Sequence, residues 1–254
     1  MEYGQELNST FDKKINMRER IQMILQKILD PLVRVFIALG LTPNIITTIG
    51  LFLNTVVAII FIIGAEKGDR SDLSYIGWGG VMILFAGSFD MMDGQVARLG
   101  KMSSRFGALY DSVLDRYSEL IMFLGICYYL VAHHYFVSSL SAFVSVIGSI
   151  MVSYTRARAE GLGIPCKEGL MQRPERIITI GLSAVACGIV GHYTGGNQTL
   201  DLNLFGYNKF ESIAVFTIPL AIIAVLANYT AIQRLRACYK YLQETEGENS
   251  INKK

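Results

Sequence analysis

Six stretches of about twenty apolar residues follow one another along the chain, approximately 45–64, 73–96, 106–132, 136–154, 177–192 and 213–232. Each is close to the ~20 residues that a helix needs to cross the hydrocarbon core of a bilayer. One core helix of a soluble protein can be this apolar, but six in succession with so few charges read as transmembrane spans. Ahead of the first, Met17, Ile21, Ile24, Leu25, Ile28, Leu29 and Leu32 recur at helical spacing, with Arg18, Arg20, Gln22 and Lys27 elsewhere on the wheel. That pattern predicts an amphipathic helix lying on the membrane surface or packed against the bundle. The loop around Gly195, Gly196 and Asn197 and the polar tail from Gln243 read as flexible connectors without identifiable chemistry. The expected fold is thus an all-α integral membrane protein with three parts. Residues 1–42 carry the amphipathic helix, 43–236 the six-helix membrane domain and 237–254 a polar tail.

The apolar pattern is broken where breaking it costs most. Asp90 and Asp93 fall at the end of the second span and Asp111 and Asp115 at the start of the third, with apolar sequence before the first pair and after the second. Spacings of three and four place each pair on a single helix face, and a short connection folds the two helices antiparallel. Four carboxylates then share one pocket, where unpaired charge is costly. Oxygen ligands with no histidine or cysteine nearby favour magnesium, calcium or manganese. The blander reading pairs the aspartates with Arg98, Arg105 or Arg116. Buried ion pairs seldom need four acids at regular helical spacing around a glycine, which favours the metal. Cys127, Cys166, Cys187 and Cys238 form no close-spaced ligand motif and read as reduced core or loop residues.

Composition agrees with a membrane location, since hydrophobic residues make up 52% of the chain and the mean hydropathy is +0.38. The net charge of +2 conceals a strong asymmetry. With the N-terminus inside, nineteen of the 23 lysines and arginines fall on the cytoplasmic side, Arg116 lies just inside the third span, and only Lys67, Arg70 and Lys209 fall on the other side. This bias predicts both termini in the cytoplasm and both aspartate pairs near the cytoplasmic ends of their helices. No cleavable signal peptide is expected in the first forty residues. Asn197, Gln198 and Thr199 fit the glycosylation pattern, a three-residue match of low specificity. A metal site that opens to the cytoplasm and laterally to lipid suits an enzyme joining a water-soluble molecule to a lipid, and no nucleic-acid partner is expected.

Asp90, Asp93, Gly94, Ala97 and Arg98, then eight residues, then Gly107, Asp111 and Asp115 reproduce all eight fixed positions of a family signature. The sequence resembles the CDP-alcohol phosphatidyltransferases, and the likeness extends to the six-helix layout, the surface helix and Pro43, Asn44 and Thr47 at the start of the first span. The resemblance implies transfer of the phosphatidyl group of a CDP-linked lipid, usually CDP-diacylglycerol, to an alcohol with release of CMP. By position, Asp90, Asp93 and Asp111 would hold one or two magnesium or manganese ions, and Asp115 would be the general base or a further metal ligand. Gly94 and Ala97 would leave room for the nucleotide, and Arg98 would offer a planar donor set to phosphate or cytosine. Asn44, Thr47 and Ser104 are nucleotide contacts or, on residue type alone, helix caps. Members commonly form homodimers in the cell membrane, so a homodimer with a cytoplasm-facing site is expected.

The acceptor is read from a third basic region. Ser153, Arg156 and Arg158 close the fourth span, Arg173 and Arg176 open the fifth, and Arg234 and Arg236 close the sixth. Arginine rather than lysine at nearly every position favours phosphate recognition over a bare orientation signal. The resemblance is to the branch that uses inositol 1-phosphate. It implies that Arg156, Arg176 and Arg234 take the acceptor phosphate and that Ser153 and Arg158 lie at the sugar, with Arg173 structural or at the rim. Glycerol 3-phosphate, inositol and serine are the alternative acceptors. Prenyl-chain synthases also use aspartate-rich helices but lack the glycine and arginine found here. A carrier or channel using the carboxylates as an ion path is the non-catalytic alternative.

Overall fold

The structure is a computed structural model that describes residues 17–166, 169, 171–200 and 210–251. Its helices are α1 (Met17–Ala38), α2 (Pro43–Lys67), α3 (Ser74–Leu99), α4 (Arg105–Ala132), α5 (Phe136–Gly161), α6 (Arg173–Thr194) and α7 (Ala214–Ile251). The apolar pattern predicted each of them, with starts and stops displaced by a few residues except at the end of α7. Five helices, Pro43–Lys67, Ser74–Leu99, Phe136–Gly161, Arg173–Thr194 and the Ala214–Thr245 part of α7, are long and apolar enough to cross a membrane. The remaining expected span is α4, a helix of 28 residues. Its first half carries Asp111, Asp115, Arg116 and Glu119, so only the second half is continuously apolar.

Close-fitting small residues fix the register between neighbouring helices. Along α3 and α6, a Cβ on Gly77 would lie 2.9 Å from the Cα of Gly188, one on Gly80 would lie 2.6 Å from the Val185 nitrogen, and one on Gly87 would lie 3.1 Å from Ile177. Each step towards the end of α3 meets a matching step back towards the start of α6. Continued by one more turn, this antiparallel register puts Arg173 opposite Asp90. The α2–α3 pair runs the same way, with Tyr75 against Gly64, Phe61 against Gly79 and Asp90 against Gly50, which sets Thr47 opposite Asp93. Parallel packing of α4 on α2, with Gly125 on Ala58 and Gly107 near Asn44, brings the starts of these helices together. Val57, Phe61, Ile83, Phe123, Ile126, Ile180 and Phe216 form the buried centre of the bundle.

Helix α1 lies along α3, where Val33 joins Ile46, Met92 and Val96 in a second apolar cluster. Packing against the bundle is therefore the observed arrangement. Ile28, Leu32, Val35 and Leu39 remain exposed on its outer side. The N-terminal residues 1–16 of the expected cytoplasmic segment lie outside the described residues.

Two expectations are corrected. Gln243 and its neighbours were read as a flexible tail, yet α7 continues to Ile251 without a break at 236. Contacts four residues apart, Lys240 with Glu244 at 3.9 Å and Gln243 with Tyr239 at 2.7 Å, support the extension. The Gly195–Gly196–Asn197 loop was also read as loose, and it is tied down instead. Gly195 closes α6 in the left-handed conformation that glycine adopts without strain (φ 73°), and the Asn197 nitrogen donates to the Ser71 carbonyl at 2.8 Å. A short ladder, β1 (Thr199–Leu200) on β2 (Phe210–Glu211), follows in the connection of an otherwise all-helical fold.

On this side of the molecule, Asn197 Nδ2 donates to Glu211 Oε2 at 2.8 Å and the Tyr135 hydroxyl donates to the same oxygen at 2.9 Å. Arg70 Nη2 donates to Glu211 Oε1 at 3.0 Å and its guanidinium lies over the Tyr135 ring, 4.6 Å from the centroid. Three connections are thereby clasped together: α2–α3, α4–α5 and α6–α7. Partial burial pushes the Glu211 carboxyl up, but the hydrogen bonds from Asn197 and Tyr135 and the Arg70 charge outweigh it and hold the group below the ordinary glutamate range. A carboxyl depressed in the folded state contributes stability that is complete above the unfolded value of ~4.3 and is lost as pH falls through the lower folded value. Glu211→Gln is expected to lower the thermal midpoint of detergent-purified protein near neutral pH. The gap to the parent should close as pH falls below ~4.3, read by thermal unfolding across a pH series.

Candidate active site

The starts of α2 and α4 and the end of α3 enclose a cavity of about 200 Å³. Asn44 and Thr47 line it from α2, Asp93, Gly94 and Ala97 from α3, and Ser104, Gly107 and Asp111 from the start of α4. Thr47 Oγ1 lies 3.0 Å from both Asp93 Oδ2 and the Pro43 carbonyl, so its proton serves either oxygen. Ser104 is the cap of α4, its Oγ accepting from the Gly107 nitrogen at 2.9 Å while its residue also borders the cavity. A Cβ on Gly107 would meet Ser104 Oγ at 2.9 Å and Asn44 Oδ1 at 3.3 Å, so a glycine is needed where the two helix starts converge. Gly94 has open space in front of it. Arg98 is exposed at the last turn of α3 and does not line the cavity.

The four aspartates are brought to one region, but they divide. Asp93 leans on Thr47 and Asp111 faces the cavity. Asp90 and Asp115 close on Arg173, whose Nη1 lies 2.6 Å from Asp90 Oδ2 and 2.6 Å from Asp115 Oδ1. Arg116 adds a looser contact, 3.6 Å from Asp115 Oδ2. With two acids drawn onto a guanidinium, no three potential ligands among the described residues stand close enough to enclose an ion. Arg173 was expected to be structural or at the rim, and it both ties Asp90 to Asp115 and lines the end of a groove beside them. Its signal was the α3–α6 register, which the sequence does not display.

A hard divalent cation fits these residues. The donors are all oxygens, four carboxylates meet one or two guanidiniums, and Asp93 and Asp111 have no cationic side chain within ion-pair distance among the described residues. Excess negative charge in a half-enclosed cavity is what such an ion neutralises.

Beyond Arg173 lies a second group of arginines. Arg176 is fully buried, with Nε 2.9 Å from Glu119 Oε1, Nη2 3.0 Å from Glu119 Oε2 and Nη1 3.1 Å from the Met171 carbonyl. It was expected at the acceptor phosphate, yet its fork grips Glu119 and no face is open to solvent. Glu119 itself escaped the sequence reading, although it continues the four-residue spacing of Asp111 and Asp115 along one face of α4. Arg234 is also buried and donates to the Val152 carbonyl at 2.7 Å, within electrostatic reach of Arg156 and Arg176. Arg156 is exposed and pairs with Glu160 at 2.8 Å, and Ser153 is half-buried one turn earlier. Arg158 points elsewhere, into an apolar groove between α5 and α7.

A second apolar groove of about 480 Å³ runs between α1, α3 and α6, lined by Ile28, Leu29, Leu84, Ile177 and Ile178 and ending at Asp90 and Arg173. The acid cluster thus has a polar cavity on one side and an apolar groove on the other.

Residues 40–227 match the family model described as CDP-alcohol phosphatidyltransferase. The chain belongs to that family and is a multi-pass membrane enzyme. It is 32% identical over 167 residues to a phosphatidylinositol phosphate synthase of Mycobacteroides abscessus, covering 65% of this chain and 71% of that protein. An archaetidylinositol phosphate synthase of Methanothermobacter thermautotrophicus is 35% identical over 129 residues, covering 51% and 64%. Among solved structures, the Mycobacterium tuberculosis phosphatidylinositol phosphate synthase with CDP-DAG bound aligns at a TM-score of 0.64 and 25% identity, over 84% of this chain and 94% of that one. The same enzyme in complex with manganese and citrate gives a TM-score of 0.65, over 82% and 88%.

The buried Glu119–Arg176 pair makes a stability prediction. Removing one member leaves the other charged and unpartnered, a loss of about 3–5 kcal/mol for pairs of this kind. Glu119→Ala is expected to lower the midpoint of thermal unfolding in detergent sharply, and Glu119→Ala combined with Arg176→Met to recover much of the loss.

Proposed function

We propose that this enzyme moves the phosphatidyl group of a CDP-linked lipid, CDP-diacylglycerol, to inositol 1-phosphate and releases CMP in a divalent-cation-dependent reaction. The observation that carries the reading is the adjacency of two oppositely charged groups at one end of the bundle. Asp93 and Asp111 line the cavity, Asp90 and Asp115 stand behind them on Arg173, and Arg156, Arg176 and Arg234 come from α5, α6 and α7 beyond it. The apolar groove ending at Asp90 and Arg173 suits acyl chains, which supports a lipid donor.

Asp90, Asp93 and Asp111, with Asp115 as a shared ligand, would hold magnesium or manganese, which supplies charge neutralisation at the diphosphate when bound. Asn44, Thr47, Gly94, Ala97 and Ser104 shape the space for the CDP moiety, and Arg98 reaches it only from outside the cavity. Asp115 takes the proton from the acceptor hydroxyl as its oxygen attacks the phosphatidyl phosphorus. The bond from that phosphorus to the CMP oxygen breaks, and CMP leaves with the electron pair. Arg156 is assigned to the acceptor's phosphate and Ser153 to its hydroxyls, with Arg158, which borders the groove between α5 and α7, at the outer surroundings of the sugar. Arg176 and Arg234, bound to Glu119 and the Val152 carbonyl, add positive potential from behind. Six spans, both termini in the cytoplasm, a cytoplasm-facing site in the cell membrane and a homodimer complete the proposal. Within it, residues 43–236 form the catalytic unit, flanked by 1–42 and 237–254.

The test measures CMP release from CDP-diacylglycerol by purified protein with magnesium or manganese and a panel of acceptors. Turnover is expected with inositol 1-phosphate. No turnover with it, alongside turnover with glycerol 3-phosphate, inositol or serine, would discard the proposed acceptor. Asp115→Asn should lower kcat by a factor on the order of 10²–10⁴ while CDP-diacylglycerol still binds, and chelation of divalent cations should stop the reaction in the parent.

A further inference from the structure

Arg173 and Arg176 lie one turn apart at the start of α6, and their surroundings differ. Every nitrogen of Arg176 has a partner at 3.1 Å or less. Arg173 directs Nη1 alone to the two aspartates, and its Nε and Nη2 are buried without any hydrogen-bond partner. A guanidinium normally satisfies its whole planar fork when buried, because unmade hydrogen bonds there are costly. This one stays in a half-satisfied position because the surrounding charge requires it. Asp90 and Asp115 come from different helices and would repel each other, and Glu119 lies within electrostatic reach as well. The contacts that hold Arg173 are the oxygens that a divalent cation would need.

We propose that Arg173 is a resident counter-cation of the carboxylate cluster, which a divalent cation displaces from Asp90 and Asp115 when it binds. The proposal rests on the metal-dependent reading above and adds that ion binding is an exchange of cations. In the cation-free protein Arg173 neutralises the cluster and ties α6 to α3 and α4. Arg173 is thus a positioning residue that sets how tightly the site holds its ion. Arg173 is the first residue of α6, and its side chain alone needs to swing.

Binding of Mn²⁺ to detergent-purified protein, followed by electron paramagnetic resonance of the free ion, tests this without turnover. Thermal midpoints are measured in chelator and in saturating Mn²⁺. Arg173→Gln is expected to bind Mn²⁺ about tenfold more tightly than the parent, equivalent to ~1.4 kcal/mol. It should also unfold at a lower temperature in chelator, and Mn²⁺ should restore most of the difference. Arg173→Lys keeps the charge but not the fork, and serves if the glutamine variant does not fold; tighter Mn²⁺ binding by a smaller factor is expected. Affinity equal to or weaker than the parent's in both variants overturns the exchange. If the parent still releases CMP in that case, the transfer reaction stands by itself. Absence of any Mn²⁺ binding in parent and variants overturns both.

Discussion

Four carboxylates converging inside a helical bundle cannot remain together without positive charge, and that constraint organises this molecule. Coulomb repulsion between groups a few ångströms apart grows as water is excluded, so each acid must find a cation, a hydrogen-bond donor or a path to solvent. All three solutions are present. Asp90 and Asp115 take Arg173, Asp93 takes the Thr47 hydroxyl, and Asp111 opens to the cavity. The division leaves Asp93 and Asp111 on the cavity side and the Asp90–Arg173 pair at the end of the apolar groove.

Helix register makes that arrangement possible. Gly77 and Gly80 let α6 approach α3 at backbone distance, and the antiparallel register then delivers Arg173 to Asp90. Parallel packing of α4 on α2 places Asp111 beside the Asn44 and Thr47 turn in the same way. Glu119 and Arg176 extend the charge pattern one turn deeper, as a bidentate pair that fixes α4 against α6 and spaces the acid cluster from the arginines beyond. The pairs of Asp90 and Asp115 with Arg173 and of Glu119 with Arg176 thus form one charged strip between α3, α4 and α6.

The opposite end of the bundle is held by a different device. Arg70, Tyr135, Asn197 and Glu211 come from three connections and satisfy one another, so loops that look unrelated in the chain close the bundle there. At the cavity end, Val33, Ile46, Met92 and Val96 pack together beside the site instead.

The number, order and approximate limits of the helices were legible in the sequence, because apolar runs of bilayer length and their interruptions are local properties of a chain. So was the convergence of Asp90, Asp93, Asp111 and Asp115 on one region, since acids at three- and four-residue spacing share a helix face. The family signature added the nucleotide and the transfer reaction. Arginines were read by kind rather than by place: Arg98, Arg173, Arg176 and Arg234 look equivalent along the chain, and each ends in a different environment. Gln243 and Asn197 were misjudged for a related reason, as polar composition does not reveal a helix extension or a hydrogen-bonded clasp. Which arginine meets which acid depends on side chains separated by some sixty to eighty residues, such as Asp115 with Arg173 and Glu119 with Arg176. Those distances are set by helix packing through small residues, and only the folded bundle contains that information.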